Sequence, residues 1–422
     1  MRGLLDRLQE TPLGNRNYAL FMAGAFVTAL GSWMQTVALG WTVLQLGNSA
    51  FLLGLLGFAQ LAPVLVFGLY AGGLADRVDR RRFLIAMQSL STALAALLAL
   101  ITATGRASIP ALLLIAAANG TVNALNGPTW QAFIKELVGP ADLRRAIALN
   151  SARFNLTRII GPAIGGWLLI VAGSAACFAA NAIGILAVIG ALLAIRTTKQ
   201  PPPSSTLRGL RGTLAVARTP RIRAVLLPAL GLALLALPYN SFLPALARDV
   251  FAVGASGLSL LLTAMGCGAL VGAGISSLKI VERMPGRALA VLEIVSGMAL
   301  AALAWSPHFI LGLASIAVFG AALIGYMATA NATIQLAAPP GTEGRALGLW
   351  IIVNSGLVPL GSLAIGGLAE WIGTRNALGG AGLGCAICGV AAVSIAGRTF
   401  GPRLASRDTP DRRAIPATSR TE

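Results

Sequence analysis

Residues 17 to 75 contain no Asp, Glu, Lys or Arg. No feature of the chain narrows the choice of fold more. A soluble domain carries about 25% charged residues and needs them to cover its surface. Here the charged fraction is 11%, the hydrophobic fraction 56% and the mean hydropathy +0.79. The bilayer is therefore the expected solvent, and one helical crossing takes roughly 20 apolar residues. The uncharged stretch is too long for one crossing and fits two, broken at Gly47-Asn48-Ser49.

The same test along the chain predicts an all-α integral membrane protein of twelve transmembrane helices. They cover approximately 18–46, 51–74, 83–104, 109–130, 146–172, 175–196, 224–247, 251–278, 288–305, 309–337, 346–370 and 376–397. Cations set the orientation, because Lys and Arg accumulate in cytoplasmic segments. With both termini inside, 27 of the 32 Lys and Arg fall on the inner side. Only Arg106, Arg248 and Arg375 fall outside, while Arg153 and Arg158 lie within span 5. Both termini are thus expected in the cytoplasm. The first 16 residues are polar and the apolar run after them is too long for a signal-peptide core, so span 1 is expected to stay as an anchor.

The same cations argue against nucleic acid as a partner. The net charge of +18 comes from short clusters between apolar runs, not from a basic face on a soluble fold. Cys177, Cys267, Cys385 and Cys388 all lie in apolar runs. Cys385-x-x-Cys388 has no second pair and reads as packed thiols. The only histidine is His308, so no histidine metal site is expected, and no cofactor is implied. An enzyme would need a cluster of nucleophile, base and acid, or a metal, and none is evident. No GxxxxGK[ST] occurs, so energy is expected from an ion gradient rather than from ATP.

The chain divides into residues 1–196 and 224–397, each an expected six-helix bundle, with a linker at 197–223 and a polar tail at 398–422 expected to be disordered. "TKQPPPSS" opens the linker, and Leu207, Leu210 and Leu214 with Arg208, Arg211 and Arg218 between them suit a short helix on the inner membrane surface. The halves look alike. "RRAIAL" from Arg144 and "GRALGL" from Gly344 open spans 5 and 11, and "AIGGWL" and "AIGGLA" follow at matching depth. Parallel six-helix repeats are a known transporter design.

Against this background of uncharged helix, six charges fall within residues 76 to 82, in "GGLADRVDRRRFL". As an inner loop the cluster resists being drawn across the membrane. The stretch also resembles the signature loop of the major facilitator superfamily, G-x-L-A-D-[RK]-x-G-[RK]-[RK], with Asp79 where the usual pattern has Gly. An Asp there is similar to the subgroup containing the enterobactin exporter and the macrolide efflux proteins. "GSWMQTVALGWTVLQLGNSA", "ALNSARFNLTRIIGPAIGG" and "GRALGLWIIVNSGLVPLGSLAIGGLAEWIG" extend that likeness, which covers residues 15 to 397. The resemblance implies two halves rocking about a central cavity. It implies a gating role for the loop residues Gly72, Asp76, Arg77, Arg80 and Arg81.

Span 5 carries two further features. Counting back from Gly173-Ser174 puts Arg158 inside the hydrocarbon, where a charge is a functional candidate by default. Snorkelling suits Arg153 at the edge, whereas Arg158 is expected to have a function or a buried ion pair. Next come Gly161, Pro162, Gly165 and Gly166, which resemble the G-P-x-x-G-G core of the superfamily's antiporter motif. Pro162 removes one helical hydrogen bond and the glycines admit a close neighbour. The chain departs from many proton-coupled exporters in having no acid in span 1 and Ala116 where several have an Arg. Asp76 and Glu293 are left as candidate proton carriers, with snorkelling or a local ion pair as the bland reading of Glu293.

In the superfamily the cavity is lined largely by spans 1, 4, 7 and 10, with help from 2, 5, 8 and 11. On those spans the polar and aromatic candidates are Trp33, Gln35, Gln60, Asn123, Asn126, Tyr239, Asn240, Tyr326, Asn331 and Asn354. Such a lining suits neutral, cationic or amphipathic molecules. The expectation is a monomeric secondary exporter in a bacterial inner membrane, moving drugs, antibiotics or siderophore-like metabolites and coupled to protons. Lipid transport, or import by the same architecture, is the alternative.

Overall fold

The structure is a computed structural model, and it describes residues 12–75, 78–195, 216–276, 278–339 and 342–399. Asp76, Arg77, the Leu207–Arg211 stretch of the linker and the tail from residue 400 lie outside the described residues. Within them every regular element is helical. The first three are α1 (Arg16–Gly47), α2 (Ala50–Ala75) and α3 (Arg80–Ala103). α4 (Ile109–Gly139) runs past its expected end at 130. α5 (142–172) and α6 (174–194) follow, parted by Gly173 at φ 79° and ψ 177°.

α7 (Pro220–Val250) begins inside the stretch assigned to the linker. It contains two π-helical turns, Leu232–Ala236 and Leu246–Val250. Then come α8 (Gly254–Ile275), a short turn of helix at Lys279–Arg283, α9 (Pro285–Trp305) and α10 (Phe309–Ala337). α11 (343–372) has a third π-helical turn at Ile352–Gly356, and Gly373 at φ 81° and ψ 151° separates it from α12 (374–399). Gly173 and Gly373 thus make the same left-handed corner at matching places in the chain. A side chain at either would be strained there.

Ten stretches among the described residues are long and apolar enough to cross a membrane, and the two longest, Asp142–Ala194 and Gly344–Ser394, are the ones that these glycines interrupt. Large apolar side chains such as Leu114, Ile183, Ile310 and Trp371 point outward and are mostly exposed. A helix apolar on every side faces lipid on the outside and protein within. Helix ends are marked by local chemistry. Asn15 accepts from the N–H groups of Asn17 and Tyr18, and Asp79 accepts from that of Arg82.

α1, α2 and α3 pack on the α4–α6 run, while α9 packs on α10, α11 and α12, and α8 on α10. The two groups meet chiefly where α2 touches α11 and where α5 touches α8.

Candidate functional site

At one end of the helices, charge is tied into backbone and side chain. Arg80 Nη1 lies 3.3 Å from Glu136 Oε2 on α4, and both side chains are largely buried. Arg81 donates from Nε to the Leu192 carbonyl at 2.6 Å and from Nη2 to that of Leu193 at 2.8 Å. It thereby satisfies the last carbonyls of α6, which have no partner within their own helix. Asp79 caps α3 and pairs with Arg82 at 3.6 Å. Arg80 and Arg81 therefore hold α3 against α4 and α6. Gly72 lies in α2, and Asp76 and Arg77, the core of the signature loop, lie outside the described residues. Glu136 belongs to this cluster too; its position beyond the expected end of span 4 hid it.

The α5 motif sits where the helices come closest. A Cβ on Gly161 would lie 2.6 Å from that of Trp33, and one on Gly165 would lie 2.9 Å from the Met34 Cα, so α5 presses on α1. Gly166 faces the other way. A Cβ there would lie 2.2 Å from that of Ser259 on α8. Ser259 Oγ donates to the Pro162 carbonyl at 2.7 Å. Because Pro162 has no N–H, the Arg158 carbonyl loses its usual helical donor, and that carbonyl would sit 3.1 Å from a Cβ on Gly266 of α8. A loosened helix and a contact without side-chain bulk thus coincide at the α5–α8 seam.

The two arginines of α5 have different fates. Arg153 does not reach toward the membrane surface: its Nη1 donates to the Ala25 carbonyl of α1 at 2.8 Å, and Nε and Nη2 hold Asn150 Oδ1. Arg158 is near the midpoint of α5. Its guanidinium lies 4.9 Å from the centre of the Phe154 ring, and Nη1 is buried with no hydrogen-bond partner. The expected alternative of a buried ion pair is not met among the described residues. On insertion scales an arginine at this depth costs about 2.5–3.5 kcal/mol.

Glu293 on α9 does not snorkel, and no ion pair reaches it from the described residues. It is fully buried, and both carboxylate oxygens lack a hydrogen-bond partner. A Cβ on Gly231 of α7 would lie 3.4 Å from its Oε1, and the thiol of Cys385 on α12 lies 4.0 Å from its carbonyl. Tyr326 on α10, expected along the cavity, is also fully buried, with an unpartnered hydroxyl. Gln35 accepts a hydrogen bond from Asn181 Nδ2 of α6 at 2.8 Å. The other cavity candidates keep some exposure. Trp33, Gln60, Asn126, Asn240, Asn331 and Asn354 are half-buried, and Asn123 is exposed. Tyr239 is nearly buried, with its ring edge-on to Phe319 at 4.7 Å. Tyr239 and Asn240 fall between the two π-helical turns of α7, and Asn354 falls inside that of α11. Such turns recur at functional sites because they disturb the regular ladder; apolar patterning gives no sign of them.

The opposite end holds a cluster that no sequence expectation included. Glu370 at the end of α11 accepts from Ser49 Oγ and, at 3.1 Å, from the Phe51 N–H, capping the start of α2. Arg248 on α7 donates to the Leu44 carbonyl of α1 at 3.1 Å, to Asn48 Oδ1, and to Asp249. Beside these bonds is a cavity of about 430 Å³ lined by residues that include Asn48, Asp249, Glu370 and Arg375. Both sets of bonds join α1 or α2 to α7 or α11. No group of three or more His, Cys, Asp or Glu among the described residues could hold a metal.

The chain matches the family model described as "Transmembrane secretion effector" over residues 9–414. It is 27% identical to the enterobactin exporter EntS of Shigella boydii serotype 4 over 384 residues, 88% of this chain and 89% of that one. It is 28% identical to the multidrug efflux pump Tap of Mycolicibacterium fortuitum over 407 residues, 92% of this chain and 96% of that one. A shorter match, 30% identical over 240 residues, links it to the staphyloferrin A transporter of Staphylococcus aureus, covering 55% of this chain and 59% of that one. Among solved structures, a peptide transporter POT superposes with a TM-score of 0.76 at 14% identity, covering 91% of this chain and 95% of that one. A bacterial homologue of the human lysosomal transporter Spinster does so with a TM-score of 0.70 at 17% identity, covering 94% of this chain and 98% of that one. With a family match along nearly its whole length, the chain belongs to the transmembrane secretion effectors of the major facilitator superfamily: it is a transporter of small molecules and not an enzyme.

Proposed function

We propose that this protein is a secondary exporter of small amphipathic compounds in a bacterial inner membrane, working by alternating access. In this reading α1–α12 are twelve crossings, with both termini cytoplasmic. Residues 1–196 and 224–397 form two bundles that rock about the polar residues of α1, α2, α4, α7, α10 and α11. The names of the relatives, a siderophore exporter and a multidrug pump, support export over import.

The observation that carries the reading is a seam that, among the described residues, is closed at one end only. At the Glu370 end the hydrogen bonds join the groups, and a Cβ on Gly366 would lie 3.1 Å from the Gly54 Cα. At the other end of α11, a Cβ on Gly344 or Gly348 would meet nothing within 4 Å. With the cation-rich end inside, the closed mouth is the outer one, so this state is open to the cytoplasm and ready to load. Glu293 supports proton coupling, because its buried, unbonded carboxylate lies in the second bundle, against α7 and α12. Asp76 is the other candidate.

Expression in an efflux-deficient strain should raise resistance to a subset of a lipophilic-compound panel, and a protonophore should abolish the effect. Accumulation of the same compounds in right-side-out vesicles, driven inward by the proton gradient, would overturn export in favour of import. Flux of a labelled lysophospholipid with none of the panel compounds would favour a lipid cargo.

A further inference from the structure

We infer that the Arg158 guanidinium is an anion anchor for cargo, so the transporter selects amphipathic molecules bearing a carboxylate or similarly acidic oxygen beside an aromatic ring. This deepens the proposed export reading and rests on it. It also departs from the neutral or cationic cargo that the lining residues alone suggest.

The chain has 14 Asp and Glu, and most lie in terminal or inter-helix segments. Of the ones described, Asp142 and Glu343 open helices, Glu282 lies in the short helix Lys279–Arg283, Asp79, Glu136 and Asp249 are each engaged by an arginine near a helix end, and Glu370 is engaged by Ser49 and Phe51. The only described acid well inside a helix crossing is Glu293. It is fully buried on α9 among groups of α7 and α12, in the bundle opposite to α5. No hydrogen bond or ion pair reaches the Arg158 guanidinium from the described residues. What it does meet is Phe154, one turn back on α5, with the ring centre 4.9 Å away, while the Arg158 carbonyl faces Gly266 of α8 in the other bundle.

Arg158 thus sits where α5 meets α8 of the other group of helices, its guanidinium beside an aromatic ring and Nη1 withdrawn from solvent. A guanidinium presents donors in a planar fork that matches a carboxylate in two places at once. Phe154 is partly exposed and leaves an aromatic surface on which a ring of the cargo can stack. A carboxylate there satisfies the buried donor and neutralises a charge that the protein itself leaves unmatched. Arg153, about 1.4 turns away along the helix, already has its carbonyl and amide partners and is not a rival.

The test uses the purified full-length chain in nanodiscs with two probes that differ by one charge and one methyl group, 4-phenylbutyrate and its methyl ester, then longer arylalkanoate pairs. Binding is read by displacement of a bound fluorescent arylcarboxylate and by shift of the melting temperature. The wild type should bind the carboxylates at least about tenfold more tightly than the esters, as a charge-assisted pair requires. Arg158→Gln should lose that ratio while keeping ester affinity, and Arg158→Lys should keep part of it. Equal binding of acid and ester by the wild type, binding of neither, or a ratio unchanged in Arg158→Gln overturns the inference. If Arg158→Gln does not fold, the wild-type ratio and Arg158→Lys still decide. The proposed function fails separately: vesicles that export no panel compound refute export whatever the acid-to-ester ratio is.

Discussion

At the scale of single residues, the two intramembrane charges of opposite sign do not meet. Arg158 could be placed at mid-depth by counting residues from Gly173, because helical rise is fixed. Its surroundings could not, since they depend on which helix face turns toward α8. Glu293 was legible as an intramembrane acid but not as a buried one. It shares its helix with apolar residues on every side, and only packing against Gly231 and Cys385 decides that its face is interior. A buried carboxylate without a donor is costly when ionised, so a neutral amide should replace it with little loss. Glu293→Gln is expected to change stability by no more than about 1 kcal/mol. It should also uncouple efflux from an imposed pH gradient while substrate binding persists. Gradient-driven efflux at the wild-type rate in proteoliposomes would remove Glu293 from the proton path.

Elements carry the gating argument. The G-P-x-x-G-G run was readable as a close contact, and the helices are close there, but its partner on α8 was not in the pattern: Ser259 is one of several small polar residues in a mostly apolar helix. Gly166→Val should wedge the α5–α8 seam, because interiors packed as densely as this absorb added methyls badly. A fall in transport of at least about tenfold is expected, with the protein still in the membrane. Unchanged flux would mean that the seam does not have to close. The bonds made by Glu370 and Arg248 were missed because polar residues at helix ends read as ordinary interface anchors. Glu370 is exposed, so Glu370→Gln should shift the balance toward an outer-open state by only roughly two- to fivefold, the worth of an exposed charged bond of about 0.5–1 kcal/mol. Faster thiol labelling of a cysteine at Ala369 reads that shift, and an unaltered rate would assign the bonds to local capping alone.

For the whole molecule, composition and spacing gave away most of the architecture, because a chain in lipid must satisfy its backbone within helices. The errors came at the ends. α4 continues to a left-handed Gly139 and α7 starts at Pro220, a residue suited to the first turn of a helix. In a cysteine-free background, cysteines at Ser49 and Gly105 should react with an impermeant maleimide from the periplasmic side, and one at Ser276 only from the cytoplasmic side. Reaction of the first two from opposite faces would break the proposed threading.

The single-residue corners at Gly173 and Gly373 belong to a wider pattern. On their side of the molecule no link between successive helices is longer than residues 104–108. That face offers a protease no extended strand to grip, and an antibody no protruding epitope. Limited digestion of intact spheroplasts should therefore leave the chain whole, whereas inverted vesicles present every longer connection to the enzyme.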